Sequence, residues 1–207
     1  QAEVLYLIRG KDIVEVDEVY QRVVKIAEGA ALMTETKVKV KFDKACSNYL
    51  PNDTLNKVVY KNLQKVGLPC YSEEELTYAQ QMAEALSPNE IAAAKDEVKK
   101  LAGSFEDTLQ IDDLTAPFFE EIIPYEKSKF AMAGSTDVAD VSWVIPTAQF
   151  FTTCFVFGTP LHTWQLVSQG KTSLAHKGLL YAGEVLALSA IELFENPDLI
   201  MEAKREL

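Results

Sequence analysis

Residues 37–42 read Lys-Val-Lys-Val-Lys-Phe, a strict two-residue alternation of apolar and charged side chains. An extended strand is the backbone form that places every second side chain on one face. It would set Val38, Val40 and Phe42 on one side and three lysines on the other. A strand of that kind is half buried, and its lysines discourage edge-to-edge pairing. Upstream, "AEVLYLIRG" is rich in strand-forming residues and reads as a strand ending at Arg9-Gly10. Between the two, Val16, Val19, Tyr20, Val23, Val24, Ala27, Ala30 and Ala31 recur at spacings of three and four, which makes one apolar helical face. Residues 1 to about 46 are therefore expected to run strand, helix, strand, half of an α+β sandwich.

A different pattern follows "SNYLPND". Asn52 or Asp53 can cap a helix carrying Leu55, Val58, Val59, Leu63 and Val66, with Gly67 as its stop. Ser72 with Glu75 forms a capping box for a second helix. Ser87-Pro88 starts a third, which runs to Gly103. The acidic stretch 104–124 reads as loop, and 139–158 as β-like, with Val141, Trp143 and Ile145 on one face. A long helix after Ser173 ends at Asn196-Pro197, and a short tail helix follows.

The formal charge of −11 argues against nucleic acid or an anionic membrane as partner, since both attract a basic patch. No apolar run approaches the ~20 residues that span a bilayer. The three cysteines, Cys46, Cys70 and Cys154, form no Cys-x-x-Cys pair, which fits free thiols in a reducing cytoplasm. The chain begins inside a strand-like run with neither an initiator methionine nor a signal leader, and it is expected to be a piece of something longer.

Two stretches could carry chemistry. In "GSTDVADVSW", Asp137 and Asp140 lie three apart beside Ser135 and Thr136. They suit a metal or a substrate amine, and equally suit capping a helix or solvating a turn. In "FGTPLHTWQ", His162 follows a Gly-Thr-Pro bend and precedes a tryptophan. It is either a packed, hydrogen-bonding residue or a metal ligand. His176 is the other histidine, near the start of the last long helix. Zinc takes three or four ligands, so two histidines and scattered cysteines do not assemble a catalytic site by themselves.

Taken in order, "AEVLYLIRG", "RVVKIAEGAALMTETKVKV", "LPNDTLNKVVYKNLQKVG", "GSTDVADVSWVIPTAQF", "GTPLHTWQLVSQGKTSLAHKG" and "LALSAIELFENPDLIMEAK" resemble the C-terminal half of the aminobenzoyl-glutamate utilisation protein B family. That family is a branch of the dinuclear-zinc amidohydrolases, with the glutamate carboxypeptidases and aminoacylases. The resemblance implies an α/β (α+β) fold: residues 1–47 as the second half of a ferredoxin-like lid or dimerisation domain, and 48–207 as the C-terminal part of a zinc-exopeptidase-type catalytic domain. It implies metal-dependent hydrolysis of an amide beside a carboxylate-bearing residue, by a cytoplasmic homodimer formed through the lid. Two zinc ions would activate a bridging water and polarise the scissile carbonyl. His162 matches the family's late metal-binding histidine, although the usual His-x-Pro is here His-Thr-Trp, and His176 is the fallback. Arg9 matches an arginine that grips the substrate carboxylate, a task suited to a guanidinium fork. Asp137 falls at the pocket wall, with Ser135 and Thr136 as further substrate contacts. The remaining metal ligands and the general-base glutamate are expected upstream of this chain. The chain alone would then be inactive, and an association or dimerisation fragment is the alternative reading.

Overall fold

The structure is a computed structural model that describes residues 2–114, 117–127 and 136–207. It divides into two compact units, Gln1–Leu50 with Ala131–Thr147, and Pro51–Phe130 with Ala148–Leu207.

In the first unit, helix α1 (Ile13–Met33) starts at Asp12, whose side chain accepts from the Glu15 backbone N–H. The helix stops in a left-handed turn at Glu35. There the Thr36 N–H reaches Ala31 O (3.0 Å) and the Glu35 N–H reaches Leu32 O (3.4 Å), the paired bonds that close a helix C-terminus. A second helix of this unit, α5 (Val138–Ser142), holds the strap 47–50. Asp140 Oδ1 accepts from the Ser47 N–H (2.8 Å), Ser142 Oγ from the Leu50 N–H (2.9 Å), and Trp143 Nε1 donates to Asn48 O (2.7 Å).

The expected α/β fold with a ferredoxin-like lid is not observed: all regular structure among the described residues is helical, and there is no strand or sheet. Residues 2–10 and 37–50 are non-helical, and no backbone ladder joins them to each other. Alternation dictates which side chains share a face, but a strand exists only when a neighbouring backbone satisfies its N–H and C=O groups. Without that neighbour the apolar side chains stay in solvent: Leu5 is 77% exposed and Leu7 78%. Phe42, 61% exposed, meets the Tyr20 ring edge-on at 5.9 Å. The β-like reading of 139–158 also fails, because Val141 lies in α5 and Trp143 caps it. The rest of that stretch is non-helical and pairs in no sheet.

The helical signal at Val16–Ala31 holds in α1, and those of the second unit hold as well. Asn52 caps α2 (Asp53–Val66), the predicted capping box forms at Ser72/Glu75 for α3 (Glu73–Glu84), and the start expected at Ser87 is also a capping box, Ser87/Glu90, for α4 (Pro88–Ala102). A 3₁₀ turn, Gly103–Thr108, follows α4. The remaining helices are α6 (Trp164–Gln169), α7 (Ser173–Glu195) and α8 (Pro197–Glu206). No helix among the described residues is long and apolar enough to cross a membrane.

Helix α2 packs on α7 through Val59, Tyr181 and Val185. Buried Asn62 crosses that interface to Ser189 Oγ (3.4 Å) and Glu192 Oε2 (3.0 Å). Helix α8 returns to the start of α2, where the Glu206 carboxylate accepts from the Asp53 and Thr54 N–H groups, an anion at a helix N-terminus. A second core gathers Ala79, Leu86, Phe118, Val156 and Leu174. It carries the turn that presents His162.

Candidate functional site

The chain enters that turn at Val156, which is fully buried, and leaves it at Thr163, which caps α6. Gly158 takes a φ of 88°, so the turn needs glycine for its conformation, and a Cβ there would also press within 3.2 Å of Leu86 Cδ1. Thr159 is buried, and its hydroxyl donates to Val156 O (2.7 Å). The Thr163 hydroxyl donates to Pro160 O (2.8 Å) and accepts from the Leu166 N–H (3.4 Å). The segment is thus tied down at 159 and again at 163, leaving three residues as an apex.

His162 sits at this apex with a φ of 62° and an exposed side chain. Its imidazole hydrogen-bonds to nothing among the described residues. Left-handed backbone is uncommon outside glycine, though histidine tolerates it better than most. Glu35, the other non-glycine residue in that region among the described residues, closes a helix; His162 precedes one.

The other candidates are placed singly. His176 is exposed in the first turn of α7, where its backbone N–H reaches Thr172 O at 3.1 Å. Arg9 is exposed in the non-helical segment that precedes α1. Asp137 is exposed just before α5, with Cys46 Sγ 3.9 Å from its Oδ1. The Thr136 hydroxyl accepts from the Val138 N–H (3.3 Å). Ser135 lies outside the described residues. Arg9, Thr136 and Asp137 belong to the first unit, and His162 and His176 to the second. No three His, Cys, Asp or Glu side chains gather in metal-binding geometry among the described residues. Asp140, paired with Asp137 on sequence spacing, holds the strap at Ser47, and that N–H pulls its carboxyl below the ordinary range.

Two features were missed by sequence reasoning. Gln169 is fully buried and binds two points of the His162 turn, Val156 and Thr159, and Gln165 O within its own helix. A glutamine at the end of "WQLVSQ" gives no sign of that role. The second feature is an aromatic-walled cavity of about 260 Å³ between Tyr71, Phe118, Phe119 and Tyr181. Tyr71 and Phe118 stack with centroids 4.4 Å apart, and Lys177 Nζ lies 5.6 Å from the Tyr71 ring centre. Lys177 also pairs with Glu75 at 2.5 Å. Hydrogen bonds from Lys177, from the Ser72 N–H and from Ser173 hold the Glu75 carboxyl down to about 2. The capping box made Glu75 visible in the sequence, but its ion pair with a residue on α7 was not.

Comparison with known proteins places the likeness in a hydrolase. Over 206 residues the chain is 46% identical to one of the subunits of p-aminobenzoyl-glutamate hydrolase, the one designated B, from Escherichia coli (strain K12). The alignment covers 100% of this chain and 43% of the relative, so the chain spans less than half the length of the curated protein it matches. This agrees with the resemblance carried by the sequence motifs. No family model matches, and no solved structure does.

Proposed function

We propose that this chain is part of a hydrolase that cleaves aminobenzoyl-glutamate, or a related N-acyl amino acid or dipeptide, at the amide beside the carboxylate-bearing residue. The observation that carries this reading is the 46% identity along the whole chain to a p-aminobenzoyl-glutamate hydrolase subunit. In this reading the enzyme depends on divalent metal, zinc by preference, and His162 supplies one ligand. An exposed imidazole held on a tethered turn fits that task, since a ligand must be aimed before the metal arrives. In the same reading the other ligands and the general base are supplied by polypeptide upstream of this chain. The metal would supply Lewis-acid activation of water and carbonyl. This chain would supply recognition: Arg9 for the substrate carboxylate, with Asp137, Thr136 and Ser135 at the pocket wall. His176 takes the ligand role if His162 does not. The 207-residue chain alone is then catalytically silent.

The test is His162→Ala in the full-length polypeptide that contains this chain, with bound zinc measured beside release of p-aminobenzoate. Zinc content and turnover should fall together, turnover by at least about 100-fold, as for loss of a metal ligand or its support. Full zinc occupancy with normal turnover would remove His162 from the site.

A second reading, association, is favoured by the exposed apolar run Val4, Leu5, Tyr6 and Leu7 in the first unit, and the relative is itself named as a subunit. A large exposed apolar stretch marks a contact surface. The assembly proposed is a homodimer through residues 1–47, and a monomer in sedimentation at high concentration would count against it.

A further inference from the structure

We infer that Gln169 is the positioning residue for His162. The inference concerns how the turn is held, and its bearing on metal binding rests on the function proposed above. Gln169 is the last residue of α6, and its side chain folds back under the turn that leads into the same helix. Its Oε1 accepts from the buried Val156 N–H at 2.8 Å. Its Nε2 donates to Thr159 Oγ1 at 3.0 Å and to Gln165 O at 3.1 Å. The amide's orientation follows from these partners, because the Val156 N–H requires an acceptor and Gln165 O requires a donor.

The three bonds leave little choice of residue. One acceptor and two donors on a planar head are what a primary amide offers. Glutamate lacks the donors, lysine lacks the acceptor, and asparagine is one methylene short. The Thr159 hydroxyl accepts from Gln169 and donates its own proton to Val156 O, which closes a small buried network with no unsatisfied side-chain atom. Such a network is rigid because opening any one bond strands a buried group without water.

What the network holds is the apex. Thr159 is fixed by Gln169, Thr163 by Pro160 O and the Leu166 N–H, and only residues 160–162 are left between them. The left-handed φ of His162 persists only if both flanks are set. Gln169 touches neither the imidazole nor any reacting atom. It acts through the backbone, on a side chain of the turn that the core does not use.

The experiment compares Gln169→Met, close in shape but without hydrogen-bonding groups, with Thr159→Val, which removes one arm of the network. Both are made in the full-length protein beside His162→Ala. Three quantities are read: zinc affinity by chelator competition, the His162 imidazole resonances of the metal-free protein, and hydrogen exchange at the Val156 amide. For Gln169→Met, zinc affinity should weaken about 10–100-fold, the range for residues that orient a ligand. The His162 signal should broaden or split, and Val156 should exchange at least about 10-fold faster. Thr159→Val should move the same readouts less, and it serves alone if Gln169→Met does not fold. Native zinc affinity with an unchanged His162 signal in folded Gln169→Met would overturn the proposal. If His162→Ala keeps its zinc, the metal reading fails by itself. The imidazole signal then decides for Gln169: a disturbed resonance supports the positioning role and an undisturbed one refutes it.

Discussion

Helix α7 contains two glycines five residues apart whose replacement by alanine should have opposite effects. At Gly178 a Cβ would lie 2.0 Å from the Thr153 carbonyl oxygen and 2.8 Å from Cys154 Sγ. Ordinary contact begins at 3.4 Å, so helix and segment must part by about 1.4 Å. The obstacle is backbone, so no rotamer change relieves it, and parting also stretches the 3.1 Å bond from the Thr152 hydroxyl to Gly178 O. Overpacking of this kind costs about 1–3 kcal/mol and sometimes more, against about 1 kcal/mol gained from helix propensity. A rigid backbone clash belongs at the upper end, leaving a net loss of about 2 kcal/mol. At Gly183 nothing lies within 4 Å, so Gly183→Ala should keep the propensity gain. For a chain of this size each kcal/mol moves Tm by about 2–4 °C. Helical circular dichroism on heating the 207-residue chain should show Gly178→Ala about 4–8 °C below the parent and Gly183→Ala about 2–4 °C above it. A Gly178→Ala protein as stable as the parent would refute the close approach of residues 152–154 to α7.

Acid should weaken the Glu75–Lys177 pair in a defined window. The folded carboxyl sits near 2 against an ordinary 4.5, so its stabilising contribution is complete above about 4.5 and is lost as pH falls toward 2. The stability gap between the parent and Glu75→Gln in urea titrations should therefore be widest at neutral pH and narrow by pH 3; a constant gap would mean the pair does not form. Leu174→Ala opens a hole among Phe118, Val156, Leu86 and Ala79 and should cost about 2–5 kcal/mol by the same titration. A cost below about 1 kcal/mol would show that the cluster is loosely packed.

The helices of the second unit were legible because their signals are local. Ser72 with Glu75 and Ser87 with Glu90 satisfy orphan N–H groups within one turn, so nothing distant is needed to make them work. Asn52 and the glycines at 67 and 103 mark ends for the same reason. The start that the sequence marks for α7, Ser173, lies one residue from the helix's cap, Thr172. The strands were misread because a strand is a relation between segments. Residues 37–42 alternate as a strand would, yet Val38 and Val40 remain exposed and no ladder forms. At 138–142 the short spacing of Val138, Val141 and Ser142 suits one helical turn as well as a strand, and buried Ser142, bonded to Ala139 O and to the Leu50 N–H, settled it as helix.

His162 stood out in the sequence for its rarity and its neighbours, but its conformation could not be read there. Left-handed backbone is a property of the closed turn, set by Gly158, by the two threonine tethers and by Gln169 seven residues downstream. Glycine would adopt that φ at no steric cost, and the exposed imidazole has no hydrogen-bond partner among the described residues. Stability therefore does not account for histidine at this point. Local hydrogen bonding does not account for it either, since its neighbours at 159 and 163 already meet the turn's needs. What histidine adds is an exposed ring nitrogen on a turn tied down at both ends, and the ligand role proposed for it rests on that placement.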